Sequence, residues 1–224
     1  CHVDACMGGF VLPFAALEQP QAWSAPPWDL AVEGVTSISA DLHKLGYAPK
    51  GVSVLLHRSR ALRRYQTFDF DGWLGGRYVT PNLQGTRSGL PMAAAWAVVR
   101  FLGVDGYRRL VRTALEAADR IRAGVRAMDG LTVLGDPRHH LLSITADVVA
   151  DRPLDPYAVG DALASRGWHH DRQAPPDNLH LTVSAGNAPI VDEWLADLAD
   201  AVDEVRSTGD RCSEPEAGAY STLE

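Results

Sequence analysis

Two β-branched runs, Val35-Thr-Ser-Ile-Ser39 and Val52-Ser-Val-Leu-Leu56, flank a segment that ends in the Gly- and Pro-punctuated stretch Gly46-Tyr-Ala-Pro-Lys-Gly51. Each run reads as a strand and the punctuated stretch as a turn. This strand–turn–strand unit holds both lysines of the chain, Lys44 and Lys50; the other nineteen of the 21 Lys and Arg residues are arginine. Arginine cannot replace a primary amine that must lose its proton and attack a carbonyl. Lys44 and Lys50 are therefore the first candidates for chemistry. A lysine on a turn between buried strands is partly desolvated, which lowers its pKa and leaves more of it neutral and nucleophilic. Lys44, beside His43, suits a Schiff-base lysine on these grounds.

The chain starts His2-Val-Asp-Ala-Cys-Met-Gly-Gly-Phe10. An acidic residue at the end of an apolar stretch, followed by small residues, lets a flat ring approach the backbone. Pyridoxal phosphate needs such a group, because a carboxylate on its pyridinium nitrogen keeps the ring an electron sink. Asp4 fits that role and Lys44 the amine. Taken singly, a strand-end Asp reads equally as a turn or cap residue.

Three strings carry a resemblance: the N-terminal run just quoted, Gly34-Val-Thr-Ser-Ile-Ser-Ala-Asp-Leu-His-Lys-Leu-Gly-Tyr-Ala-Pro-Lys-Gly51, and Gly85-Thr-Arg-Ser-Gly89. Together they resemble the sphingosine-1-phosphate lyases of the pyridoxal-phosphate-dependent group II decarboxylase family, over residues 1 to about 205. The string Ser-Ile-Ser-Ala-Asp-x-His-Lys-x-Gly-Tyr-Ala-Pro-Lys-Gly is specific to the lyase branch; typical amino-acid decarboxylases of the family carry Asn-Pro-His-Lys or Asp-Pro-His-Lys at that point. The resemblance implies an α/β fold of the aspartate aminotransferase type (type I): part of the large cofactor domain, followed by an α+β C-terminal domain. It further implies pyridoxal 5'-phosphate as cofactor, with Lys44 forming the Schiff base and Asp4 on the pyridine nitrogen. Ala5 would pack near the ring and His43 would bond the cofactor phosphate. Thr86 and Arg87 would lie on a loop reaching the phosphate of a partner subunit, so a homodimer is expected. Thr86 stands where the family has serine, and Ser88 where it has proline. Lys50 would lie near the substrate and assist proton transfer or bind phosphate.

The implied reaction is a retro-aldol cleavage of a phosphorylated sphingoid base, giving a long-chain aldehyde and phosphoethanolamine. An amino-acid decarboxylase acting on aspartate, glutamate or tyrosine is the alternative on the same scaffold, and a non-catalytic dimerisation fragment is a second. In the family, the half preceding Asp4 supplies the ring-stacking side chain and the phosphate loop, so the chain is expected to be a fragment whose Asp4 strand is central in a seven-stranded, mostly parallel sheet. Read without the resemblance, His43 is equally a satisfied turn histidine, Lys50 a surface charge, Arg87 an ion-pair partner and Tyr47 a packing aromatic.

Composition limits other readings. A net charge of −7 disfavours nucleic acid or an anionic membrane surface as partner. Cys1, Cys6 and Cys212 have no useful spacing, which points to a reducing cytoplasm. Ala- and Arg-rich usage suggests a bacterial source, and no apolar run is long enough to span a bilayer. The tandem pairs His139-His140 and His169-His170, with His180, lack zinc-ligand spacing, since neighbours on a strand face opposite ways; no metal is expected. There is no Gly-x-Ser-x-Gly elbow or Walker loop.

Along the chain, residues 1–95 read as the second half of the cofactor domain, 96–206 as the small domain and 207–224 as a disordered tail. Pro20 to Pro27 reads as a loop, Arg58 to Arg64 as a solvated basic face, and Asp69 to Arg77 as irregular. Helices are expected at Pro91–Leu102, Tyr107–Met128, Pro156–Arg166 and Val191–Val205. Further strands are expected at Leu131–Leu134, Leu141–Thr145 and Leu179–Ser184, in a sheet that reads as antiparallel.

Overall fold

The computed structural model describes residues 1–18, 26–149, 154–209 and 212. They form two compact units, Cys1–Arg109 and Leu110–Glu224. Most of the loop expected from Pro20, and most of the expected tail, lie outside the described residues.

In the first unit, β1 (His2–Asp4) runs parallel to β2 (Ser37–Asp41), which pairs antiparallel with β3 (Ser53–His57). The order is β1-β2-β3, so in this chain Asp4 lies on an edge strand. The strands begin two residues and one residue later, respectively, than their β-branched runs suggest. Alternation in Ser-Ile-Ser-Ala-Asp gives β2 two faces: Ile38 and Ala40 are buried, while Ser37, Ser39 and Asp41 face the other way. Ile38 packs with Ala5 and Val35. Arg58 departs from the expected solvated face: its guanidinium donates to the carbonyls of Val35 (2.6 Å) and Val32 (2.5 Å), closing the loop before β2.

Helix α1 (Leu12–Glu18) follows β1, and the short α2 (Arg60–Arg63), capped by Ser59, follows β3. The stretch expected to be irregular forms part of a hairpin, β4 (Phe68–Phe70) with β5 (Tyr78–Thr80). Alternating aromatic and polar residues supply its β preference, and the Asp69–Arg77 ion pair closes it.

Helix α3 (Leu90–Arg126) is continuous except at Gly103, whose φ of 56° and ψ of −172° are non-helical. The break falls at Gly103, between the two expected helices; only a residue without a Cβ takes such angles at little cost. The second unit holds a sheet of order β6-β7-β9-β8, antiparallel throughout: β6 (Leu131–Val133), β7 (Leu141–Ala146), β8 (Asp171–Gln173) and β9 (Asn178–Thr182). Leu142 and Ile144 of β7 and Leu179 of β9 pack against α4 (Pro156–Ser165), through Val159 and Leu163, and α5 (Val191–Thr208), through Leu198 and Val202. Asp155 caps α4 ahead of Pro156 at its first position, and Gly209 ends α5 in the left-handed region. Helix α5 thus reaches Thr208, past the expected start of the tail. Among the described residues, no helix is long and apolar enough to cross a membrane.

Candidate cofactor site

The polar faces of β1 and β2 build the site. The parallel register sets His2 beside Ser37 and Asp4 beside Ser39. Asp4 Oδ1 accepts from the Cys6 backbone N–H (3.0 Å) and the Ser39 hydroxyl (3.1 Å). The Cys6 backbone and side chain, then Ser39, hold the carboxyl below the usual carboxylate range, and the Lys44 charge adds to this. His2 Nε2 lies 3.2 Å from Ser39 Oγ and Nδ1 2.8 Å from Ser37 Oγ. Since Ser39 donates to Asp4, it accepts from His2, which places the His2 proton on Nε2 and makes Nδ1 the acceptor for Ser37.

Asp41 ends β2 on the same face. Its Oδ2 is 3.0 Å from Lys44 Nζ and 3.7 Å from His43 Nε2, and its Oδ1 accepts from Ser53 Oγ at 2.5 Å. Burial raises the Asp41 carboxyl, but the Ser53 and Lys44 hydrogen bonds and the Lys44 and His43 charges outweigh it, so the net shift is down. His43 Nδ1 donates to the Val52 carbonyl at 2.7 Å, leaving Nε2 toward Asp41.

The loop from Leu42 to Gly51 is folded tightly. Ala48 N–H bonds Leu42 O, Tyr47 N–H bonds Lys44 O, and Tyr47 has φ of 58°. A Cβ on Gly46 would meet the Leu42 backbone at 2.6 Å, so glycine is required there. Buried Tyr107 of α3 donates to Gly46 O at 2.8 Å and stacks on Phe14.

Lys44 overturns one expectation. It is exposed, and its pKa is raised: hydrogen bonding to the Cys6 side chain outweighs the modest burial, with Asp41 acting the same way. The flanking strand β3 is also largely exposed, so it does not desolvate the loop. Hydrogen bonding to Cys6 and Asp41, not an apolar wall, sets this amine.

The structure thus brings Asp4, Lys44 and His43 into one group. Ala5, expected beside a ring, buries its methyl against Val35 and Ile38. Lys50 is exposed after Pro49. Thr86 and Arg87 are exposed on the loop between β5 and α3, and no hydrogen bond or ion pair among the described residues joins them to Lys44 or Asp4. Sequence reasoning passed over Ser39, Cys6 and Asp41. The available signal for Asp41 was its place on the Ser37–Ser39–Asp41 face, three residues before Lys44.

In the second unit His140 and His170 turn inward. His140 is 2 % exposed with both ring nitrogens unpartnered, and His170 Nε2 accepts from the Trp194 indole N–H at 3.0 Å. Burial pushes both down to about 4. Among the described residues, no group of three His, Cys, Asp or Glu side chains could hold a metal.

The pyridoxal-dependent decarboxylase conserved domain matches residues 1–145. Sphingosine-1-phosphate lyase from Arabidopsis thaliana is 40% identical over 92% of the chain and 36% of its own length. A probable L-tyrosine/L-aspartate decarboxylase from Methanothrix thermoacetophila is 37% identical over 93% of the chain and 50% of its own length. The solved sphingosine-1-phosphate lyase of Burkholderia pseudomallei superposes with a TM-score of 0.84 at 40% identity, covering 93% of this chain and 46% of that one. Glutamate decarboxylase of Lactobacillus brevis shares the fold, with a TM-score of 0.73 at 24% identity. The chain spans between about a third and a half of the length of these relatives. From the matched domain, which covers more than half of its residues, the chain belongs to the pyridoxal-dependent decarboxylase family.

Proposed function

We propose that this chain is part of a pyridoxal-phosphate-dependent lyase that cleaves a carbon–carbon bond in a phosphorylated sphingoid base. The observation that carries the reading is the setting of an ionised Asp4 and the Lys44 amine at the ends of neighbouring parallel strands, close enough for Lys44 to act on the Asp4 charge. The donor set fits the cofactor: a carboxylate held ionised for a ring nitrogen, a primary amine for an aldehyde, and an imidazole next to that amine. When bound, the cofactor supplies the electron sink for the cleaved bond.

The chain's own residues do the rest. Asp4, fixed by Cys6 N–H and Ser39, orients and charges the ring nitrogen. Lys44 would hold the cofactor through its aldehyde carbon, and His43, next to it, would hold the cofactor phosphate. Lys50 takes the proton from the C3 hydroxyl, or leaves it to a substrate phosphate oxygen. With the cofactor bound as electron sink, the C2–C3 bond of the substrate would break, so that C3 leaves as a long-chain aldehyde and a proton delivered to C2 gives phosphoethanolamine. Thr86 and Arg87 serve the phosphate of a second subunit in a homodimer, and the protein works in the cytoplasm.

Amino-acid decarboxylation is the second reading, favoured by the similarity to the Methanothrix decarboxylase, which covers half of that protein. Product analysis on the whole protein separates the two. Fatty aldehyde and phosphoethanolamine from a phosphorylated sphingoid base support the lyase; carbon dioxide from aspartate, glutamate or tyrosine, with no aldehyde, overturns it.

A further inference from the structure

The Asp41 carboxylate occupies a position that cofactor binding and bond cleavage, as described, do not use. It is 15 % exposed, and it touches Ser53, Lys44 and His43 at once. The cross-strand register sets Asp41 directly opposite Ser53, so the contact closes the Lys44 loop at its base. His43, bonded to Val52 O on the other side of that loop, faces the same carboxylate. A carboxylate so fixed keeps its charge next to Lys44 whatever the rest of the site contains.

We propose that Asp41 is a positioning residue that holds Lys44 as an ammonium ion in a waiting geometry, so that capture of an aldehyde by Lys44 is gated by release of that ion pair. This deepens the reading of Lys44 as the cofactor-bearing amine and rests on it. Capture requires the neutral amine: the ammonium proton first leaves for solvent, the nitrogen lone pair then forms the bond to the carbonyl carbon, and the carbonyl oxygen leaves as water. An adjacent carboxylate disfavours that loss, because it stabilises the charged form. Among the described residues, the Cys6 thiol and the Asp4 carboxylate, from the end of β1 and the turn after it, also act on Lys44, while His43 faces Asp41. Asp4 is engaged by Cys6 N–H and Ser39, whereas Asp41 is the carboxylate in direct contact with the amine. Ser53 is neutral and anchors Asp41 without contributing charge.

The chain's two lysines make the test direct. Reductive methylation with formaldehyde and cyanoborohydride, without pyridoxal phosphate, is followed by peptide mass spectrometry from pH 6 to 10. Exposed Lys50 serves as internal reference. The wild type is expected to methylate Lys44 several-fold more slowly than Lys50 near pH 8, with the ratio converging at high pH. Asp41→Asn should raise the Lys44-to-Lys50 ratio several-fold and move its pH profile to lower pH. Asp41→Glu should restore the slow profile. Ser53→Ala, which loosens the loop but keeps the charge, should leave the profile near wild type. Equal shifts in Asp41→Asn and Ser53→Ala would reduce Asp41 to a loop support, and an unchanged ratio in Asp41→Asn would remove it from the control of Lys44; either overturns the proposal. Because no cofactor is present, these outcomes are independent of whether Lys44 carries pyridoxal phosphate.

Discussion

Asp4 and Lys44 differ in how their charge is secured. Asp4 is exposed, yet hydrogen bonds from Cys6 and Ser39 hold its pKa down, so its strength as a ring-nitrogen partner comes from donors and not from burial. Asp4→Asn keeps the shape and loses the charge; activity of the whole protein should fall on the order of 10²–10³-fold, the usual loss when one preorganised electrostatic group is removed. Ser39→Ala should cost less, because Cys6 N–H remains. The buried histidines act on stability. His140 and His170 have folded pKa values of about 4 against an ordinary 6.5, so the unfolded chain binds more protons between those values. Stability from these groups is full above about pH 6.5 and is lost as pH falls toward 4, by up to roughly 3 kcal/mol for each. Urea midpoints of the chain from pH 7 to 4 should decline across that window, and His140→Leu should flatten the decline. A midpoint independent of pH there would contradict the assignment.

At the level of elements, the Lys44 loop is held by three anchors: the Asp41–Ser53 pair at its base, His43 on Val52, and Tyr107 on Gly46. Tyr107→Phe removes one hydrogen bond and leaves a buried carbonyl unpaired, which should cost about 1–3 kcal/mol. Gly46→Ala drives a methyl into the Leu42 backbone at 2.6 Å and should disrupt the loop more severely than any surface change in it. Thermal melts of both variants, with Lys44 reactivity measured alongside, check this order. The local signals for this region were strong, since β-branched runs and Gly-Pro punctuation fall where strands and loop occur. They did not resolve the partners. Asp4 meets Ser39 across 35 positions, and nothing local in Val3-Asp-Ala predicts that register. The interval left between the expected helices at Pro91–Leu102 and Tyr107–Met128 holds the actual break, at Gly103, while Gly106 stays helical. Phe68-Asp-Phe and Tyr78-Val-Thr were obscured by the glycines between them, although alternation was there to be read.

Across the molecule, the two units differ in how they dispose of apolar surface. The second gathers Leu, Val, Ile and Trp194 into one continuous core from strands and helices. The first leaves Phe68, Trp73, Leu74, Leu83, Trp96 and Phe101 more than half exposed. Patches of this kind mark surfaces made to be covered. The chain alone should therefore associate with rising concentration, and Trp96→Asp with Phe101→Asp should reduce that association in light scattering. Fold class was legible because periodicity and the lysine-bearing strings are local properties of sequence. The raised Lys44 pKa was not, because its largest cause is a hydrogen bond to Cys6, which only the folded β1–β2 pair brings near. The central claim is that Lys44 is the cofactor-bearing amine, and the most direct measurement is borohydride reduction of the chain with added pyridoxal phosphate, followed by peptide mass mapping. A phosphopyridoxyl group on Lys44, absent in Asp4→Asn or much reduced there, is the predicted result. Labelling of Lys50 equal to that of Lys44, or none on either, would contradict the account.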